Sequence, residues 1–147
     1  WVFLGEVIVD TELEYDKPFE KDLCGTCTAC IEACPTDAII DEYQLDANKC
    51  ISYLTIEHRD DIPKEFSDKM NNWIYGCDIC QEVCPWSKKF AINSNEESFK
   101  AREFLIHSDA DFLYNLSQEE YSKLFKNSAM KRTKISGLKR NINFINN

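Results

Sequence analysis

Eight cysteines in two spaced runs constrain this 147-residue chain more than any other feature. The first run, Cys24-x2-Cys27-x2-Cys30-x3-Cys34-Pro35, places four thiols within eleven residues. The second run is Cys77-x2-Cys80-x3-Cys84-Pro85, and the eighth cysteine, Cys50, lies between the two runs. Both runs contain CxxCxxxCP, an imperfect internal repeat that predicts two similar local structures.

The first run has the spacing with which bacterial ferredoxins bind 4Fe–4S clusters, where the fourth cysteine ligates the other cluster of the pair. Cys50 can supply the ligand that the second run lacks. We therefore predict a first cluster bound by Cys24, Cys27, Cys30 and Cys84. A second cluster is then bound by Cys34, Cys50, Cys77 and Cys80, and no thiol is left over. This crossed assignment places the two clusters at a separation useful for electron transfer.

Two other uses of the cysteines are open on the sequence. Disulfides would leave the CxxCxxCxxxCP pattern unexplained, and zinc sites usually separate their CxxC pairs by a longer spacer. Iron–sulfur ligation favours a reducing, cytoplasmic location.

The order of motifs predicts an α+β fold, with a ferredoxin-like domain that holds two 4Fe–4S clusters and a short, repeat-like helical segment after it. Residues 1–22 are predicted to end an upstream domain or connection, 23–90 to form the dicluster domain, and 91–147 to be helical with a basic C-terminal helix. Residues 2–9 and 38–40 are rich in Val and Ile and predict strands. Residues 87–98 read as a polar linker. The chain has no apolar run long enough for a membrane span, and without an initiator Met we expect it to be part of a longer or processed protein.

Two helix signals mark the last third of the chain. Ser117 followed by Glu120 is a capping box. Ile135, Leu138, Ile142 and Ile145 recur at helical spacing and predict an amphipathic helix. Because little chain remains to cover this stripe, we expect further chain or a partner to pack on it.

Charge is divided unequally along the sequence. Residues 1–120 carry 26 acids and 10 bases, whereas residues 121–147 carry seven bases and no acid. Such asymmetry suggests a basic element that contacts a polyanion. A solvated helix face, or a basic segment that docks on the acidic body, would explain the same pattern.

Several longer strings resemble the epoxyqueuosine reductase family. The most specific are CISYLTIE at 50–57 and YGCDICQEVCPW at 75–86; WVFLGE at 1–6, CGTCTAC at 24–30, SAMKR at 128–132 and GLKRN at 137–141 also match. The resemblance runs through nearly the whole chain. It implies a cobalamin-dependent iron–sulfur enzyme that reduces epoxyqueuosine to queuosine at the wobble position of tRNA.

The resemblance also implies what this chain does within such an enzyme. The matching strings all fall after the family's N-terminal cobalamin-binding catalytic domain. We therefore expect no catalytic residue in this chain, and a relay portion that is inactive alone. Ser52, Cys77 and Asp78 are implied to lie near cobalamin. The basic tail gains a role in binding the tRNA anticodon arm, through Lys131, Arg132, Lys134, Lys139 and Arg140. A low-potential electron donor and a monomeric state are expected.

Three other functions fit part of the sequence. A stand-alone dicluster ferredoxin would carry electrons without binding cobalamin or tRNA, but would not need the basic helical tail. A reductive dehalogenase also pairs cobalamin with two clusters, and the same tail argues against it. An RNA-binding module could use its clusters only for structure.

Overall fold

The computed structural model describes residue 2 and residues 4–146. This part of the chain is mostly helical, with one antiparallel sheet of two short strands in which Ile39 pairs with Leu45. The predicted strand at 38–40 is confirmed to within a residue, but the α+β class holds only in this limited sense. The elements of the first part are α1 (Ala29–Ala33), β1 (Ile39–Asp41), β2 (Gln44–Leu45), α2 (Ile51–Ile56), α3 (Ile79–Val83) and α4 (Pro85–Phe90), with 3-10 helices at Ala47–Lys49 and Lys64–Lys69.

The strand predicted for residues 2–9 is wrong where the structure describes it. Val2 and residues 4–9 are exposed and have no secondary structure, while Trp1 and Phe3 lie outside the described residues. A strand needs a neighbour to pair its backbone groups, and no described segment pairs with this one. High β-propensity alone was therefore insufficient.

Short helices and one longer helix form the last third of the chain. The capping box is confirmed, since Ser117 Oγ accepts a hydrogen bond from the Glu120 amide (3.2 Å) and the Glu120 carboxylate accepts one from the Ser117 amide (2.8 Å). The linker predicted at 87–98 begins later, because α4 continues to Phe90. The remaining elements are α5 (Glu103–Ile106), α6 (Ala110–Asn115), α7 (Gln118–Leu124) and α8 (Lys134–Ile145), with 3-10 helices at Glu97–Phe99 and Ala129–Thr133.

Helix α8 joins two hydrophobic cores. Leu138 and Ile142 are buried in the first core, and Phe144 and Ile145 pack against the second. Leu138 and Ile142 do not need further chain or a partner to cover them, because α2 and α6 already pack on α8. The first core also contains Leu113, Leu116, Tyr121 and Phe125, and the second consists of Ile51, Leu54, Ile62, Phe66 and Met70.

Candidate iron–sulfur site

The two cysteine runs adopt the same local structure on helices α1 and α3, which pack against each other. The residues before these helices, Thr28 and Asp78, have φ, ψ angles of −110°, 7° and −115°, 9°. Cys34 and Cys84 end the helices in extended conformations of −70°, 113° and −61°, 122°. A residue before proline is driven out of the helical region, so each Cys-Pro pair stops its helix. The predicted internal repeat is thus confirmed in the backbone.

The cysteines of three separate elements meet at one cavity. Cys50, the residue before α2, joins those of the two runs. The cavity measures about 360 Å³ and also has apolar walls from Ile31, Ile51 and Ile79. Seven of the eight cysteines line it, and Cys84 does not: the seven are Cys24, Cys27, Cys30, Cys34, Cys50, Cys77 and Cys80.

The thiols in this cavity disfavour one another's ionisation. Burial raises the pKa of Cys77, and the charges of Cys50, Cys80 and Cys34 raise it further. Burial likewise raises the pKa of Cys80, with Cys50 and Cys30 adding to the effect. A cationic iron core would remove these protons and neutralise the thiolates, so the donor set fits an iron–sulfur cluster.

The pKa values of the two cysteines that precede proline, Cys34 and Cys84, shift in the opposite direction. Burial acts to raise the pKa of Cys34, but hydrogen bonds from the Ala38 amide (3.3 Å to Sγ) and from Thr36 outweigh it and lower the pKa. The pKa of Cys84 is lowered chiefly by the backbone amide of Ser87. The turn after each Cys-Pro pair therefore supplies N–H groups that stabilise a thiolate.

The alternatives to iron–sulfur ligation can be compared with this geometry. All eight cysteines are free, which contradicts the disulfide alternative. Within the described residues, no three His, Cys, Asp or Glu side chains converge closely enough to hold a single metal ion. A 4Fe–4S cube separates its thiolate ligands more widely than a single ion does.

Of the three residues implied near cobalamin, only Cys77 lines the cysteine cavity. Ser52 is half-buried on α2, two residues after Cys50. Asp78 is exposed at the start of α3, where its carbonyl oxygen accepts hydrogen bonds from the amides of Gln81 and Glu82, both at 2.9 Å.

The basic residues predicted to contact tRNA fall into two groups. Lys131, Arg132 and Lys134 are exposed, and Lys139 is half-buried with Nζ 5.6 Å from the ring centre of Tyr114. Arg132 also forms an ion pair with Glu57. Arg140 differs, because its guanidinium donates hydrogen bonds to the backbone carbonyls of His58, Asp60 and Leu54, of which those to His58 and Leu54 are part-buried. The structure therefore does not bring Arg140 together with the exposed bases.

Sequence reasoning missed a buried polar group behind the cysteine cavity. Thr55, Thr133 and Asn141 are each at most 2% exposed. Asn141 lies three residues after Leu138, on the apolar stripe of α8. A polar residue in that position was the available signal, since buried polar side chains require hydrogen-bond partners.

The spacing of the cysteines and their shared cavity are typical of iron–sulfur proteins of the ferredoxin type. Residues 23–87 match the family described as a 4Fe-4S double cluster binding domain. The match supports 4Fe–4S ligation, as the cysteine spacing predicts.

Over nearly its whole length the chain is similar to epoxyqueuosine reductases. It is 50% identical over 147 residues to the epoxyqueuosine reductase of Cyclobacterium marinum, covering 99% of this chain and 46% of that protein. It is 53% identical over 143 residues to that of Leadbetterella byssophila, covering 97% of this chain and 46% of that protein. The chain thus spans about half the length of these curated relatives.

Solved structures extend the similarity to the fold. Epoxyqueuosine reductase with a tRNA-Tyr epoxyqueuosine-modified tRNA stem loop has a TM-score of 0.80 at 32% identity, over 90% of this chain and 34% of that chain. Epoxyqueuosine reductase from Bacillus subtilis has a TM-score of 0.74 at 32% identity, over 90% and 35%. The resemblance to epoxyqueuosine reductases that the sequence predicts is therefore confirmed. It covers only part of the length of those enzymes. Among the described residues no helix is both long and apolar enough to cross a membrane.

Proposed function

We propose that this chain is the iron–sulfur relay portion of an epoxyqueuosine reductase. In this role it holds two 4Fe–4S clusters and delivers electrons to cobalamin, for the reduction of epoxyqueuosine to queuosine in tRNA. The observation that carries the proposal is the single cavity shared by seven cysteines from three elements. Similarity to half of the Cyclobacterium marinum enzyme supports the same role.

The thiolates are the first contribution of this chain. Cys24, Cys27, Cys30 and Cys84 would hold one cluster, and Cys34, Cys50, Cys77 and Cys80 the other. The charges of Cys50, Cys80 and Cys34 all act on Cys77, so the thiols of the second set lie near one another. Cys30 of the first set also acts on Cys80, so the two sets lie close together. When bound, the clusters supply one-electron transfer between a low-potential donor and a neighbouring cofactor.

The surroundings of the thiolates would set the reduction potentials of the clusters. Apolar walls from Ile31, Ile51 and Ile79 would reduce the contact of the clusters with water. Amides in the turns after Cys34 and Cys84 donate toward sulfur, which favours the more negative, reduced state of a cluster. The excess of acids in residues 1–120 acts in the opposite direction and lowers the potentials.

Cobalamin would be bound mainly by a part of the enzyme that this chain does not span. Ser52, Cys77 and Asp78 are proposed to face it from α2 and the start of α3. Cobalamin, when bound, supplies the metal-centred chemistry that opens the epoxide. In this assignment no residue of the chain is itself catalytic.

The exposed bases after α7 are proposed to contact the tRNA backbone. Lys131, Arg132 and Lys134 are exposed, although Arg132 is paired with Glu57, and Lys139 lies further along α8. Arg140 is omitted from this set, because its hydrogen bonds are internal. A solved relative that was crystallised with a modified tRNA stem loop supports tRNA as the partner.

The test uses the whole protein, purified without oxygen. It is mixed with cobalamin, a low-potential reductant and tRNA containing epoxyqueuosine, and the nucleosides are then analysed by mass spectrometry. Cobalamin-dependent loss of one oxygen atom from epoxyqueuosine is the expected result. A Cys50→Ser variant that keeps its other cluster should lose this activity.

Two results would overturn the proposal in different ways. Intact clusters with neither cobalamin binding nor oxygen loss would identify a dicluster electron carrier. Absence of iron–sulfur absorption from the anaerobic protein would remove the cluster assignment itself.

A further inference from the structure

We infer that Thr55 and Asn141 are positioning residues that fix the placement of Cys77 relative to Cys50. The inference rests on the proposed role of these two cysteines as ligands of one cluster. They come from different elements, so the folded structure must hold their spacing. Two buried side chains connect α2 to the loop that carries Cys77, and neither is a predicted cluster ligand.

The hydroxyl of Thr55 links the two ligand-bearing segments directly. Thr55 is fully buried near the end of α2, the helix that follows Cys50. Its Oγ1 donates to the carbonyl oxygen of Ile51 (2.7 Å) and accepts from the amide of Gly76 (2.9 Å). Gly76 is the residue before Cys77, so one hydroxyl joins the ligand loop to α2.

The side chain of Asn141 makes a second link between the same segments. Its Nδ2 donates to the carbonyl oxygens of Thr55 (2.8 Å) and Ile74 (2.9 Å). Its Oδ1 accepts from Arg140 Nη2 (2.8 Å), and the residue is completely buried. Every polar atom of this amide side chain therefore has a partner.

The end of α2 needs these donors. The last carbonyl groups of a helix have no partner within the helix. The carbonyl oxygen of Thr55 accepts from Thr133 Oγ1 (2.9 Å) as well as from Asn141. Both donors come from residues 129–145, so this helical segment restrains the end of α2. Through the Thr55 hydroxyl, it also restrains the loop that carries Cys77.

The conformation of the loop makes this support necessary. Gly76 has a φ of +74°, which glycine adopts readily and other residues do not. Glycine has more conformational freedom than any other residue, so the Thr55 hydrogen bond restrains the backbone directly beside Cys77. Hydrogen bonding and solvent access around the sulfurs influence cluster potentials.

A pair of substitutions at Thr55 isolates the hydroxyl. Thr55→Val preserves the shape and removes the hydroxyl with its hydrogen bonds to Gly76 and Ile51, whereas Thr55→Ser keeps the hydroxyl. In the whole protein reconstituted with iron and sulfide, the half of the iron that belongs to one cluster should be released to a chelator about fivefold faster in Thr55→Val, the factor expected when the Gly76 amide loses its hydrogen bond. The Thr55→Ser variant and the other half of the iron should keep the wild-type rate.

A second pair tests Asn141 and controls for the substitution itself. Asn141→Leu should shift the midpoint potential of one cluster in a redox titration followed by electron paramagnetic resonance. Asn143→Leu makes the same change at an exposed position of α8 and should shift neither potential. The signal lost in Cys50→Ser identifies which cluster is affected.

The outcomes separate this inference from the proposed function. If wild-type protein binds two clusters but Thr55→Val releases iron as Thr55→Ser does, the positioning role is refuted and the relay proposal stands. An equal effect on both clusters would also refute it, because that is the mark of general destabilisation. If wild-type protein binds no clusters, the proposed function fails first.

Discussion

The guanidinium of Arg140 on α8 donates a hydrogen bond of 2.8 Å to the carbonyl oxygen of Leu54 on α2. It also donates to the carbonyl oxygens of His58 (2.7 Å) and Asp60 (2.6 Å). Burial lowers the pKa of Arg140, although an arginine stays charged in proteins. A cation is favoured at the carboxyl end of a helix such as α2. The hydrogen bonds of Arg140 therefore join α8 to the part of the chain that contains the cysteines.

Replacing Arg140 should therefore reduce stability. Arg140→Met leaves three carbonyl groups without this donor and should lower the free energy of unfolding by about 2–4 kcal/mol. Anaerobic urea unfolding measures the change. Lys123→Met removes an equal charge from an exposed position and should change it little. Equal losses in the two variants would contradict the role given to Arg140.

The exposed bases should contribute to tRNA binding in a salt-dependent manner. The double variant Lys131→Ala, Lys134→Ala should bind the modified anticodon stem loop more weakly. The slope of log K against log salt should become shallower by about 1.4, since a single strand gives about 0.7 for each phosphate contact. Fluorescence anisotropy at several salt concentrations measures both quantities.

The control for this experiment is Lys100→Ala, which removes an exposed lysine paired with Glu97 at 2.7 Å. It should leave affinity and slope unchanged. If the double variant behaves like this control, the basic segment does not bind tRNA.

The crossed cluster assignment predicts which cysteine variants behave alike. Cys34→Ser should abolish the same cluster signal as Cys50→Ser, and Cys24→Ser the same signal as Cys84→Ser. Each variant should lose about half of its bound iron, since each cysteine serves one cluster. Iron analysis with electron paramagnetic resonance distinguishes the signals. Pairing of Cys34 with Cys24 would instead indicate that each run binds its own cluster.

The capping box of α7 should protect that helix over a defined pH range. Hydrogen bonds from the Ser117 hydroxyl and amide hold the pKa of Glu120 below its usual value of 4.5. A lowered carboxyl pKa gives stability that is present above the unfolded-state value and is lost as pH falls through the native one. Glu120→Ala, which removes the carboxylate that closes the capping box, should therefore reduce amide protection in α7 equally at pH 7 and pH 6.

Glu119→Ala, also in the first turn of α7, is the matched control, because it removes a charge without breaking the capping box. It should reduce protection less. A loss in Glu120→Ala that halved between pH 7 and pH 6 would contradict the lowered pKa.

Local features of the site could be predicted from the sequence. The cysteine spacing predicted two similar turns, and residues 28–34 and 78–84 adopt nearly the same backbone angles. The stripe of Leu138 and Ile142 predicted both the helix and its buried face. These features succeed because proline, ligand spacing and helical periodicity act within a few residues.

The conformation of the Val- and Ile-rich residues 4–9 could not be predicted in the same way. Residues 4–9 have strand composition, but whether they pair depends on a neighbour that sequence does not specify. Arg140 presents the same difficulty, because a base on an amphipathic helix can face solvent or reach a carbonyl on another element.

The sequence by itself determined the cysteine spacing, the repeat and helix α8, because each depends on residues close together in the sequence. Only the tertiary structure decided that Thr55 holds Gly76 and that Asn141 bridges Thr55 to Ile74. Those contacts join residues 21 to 86 positions apart. Their hydrogen bonds depend on where the helices pack, so no local pattern specifies them.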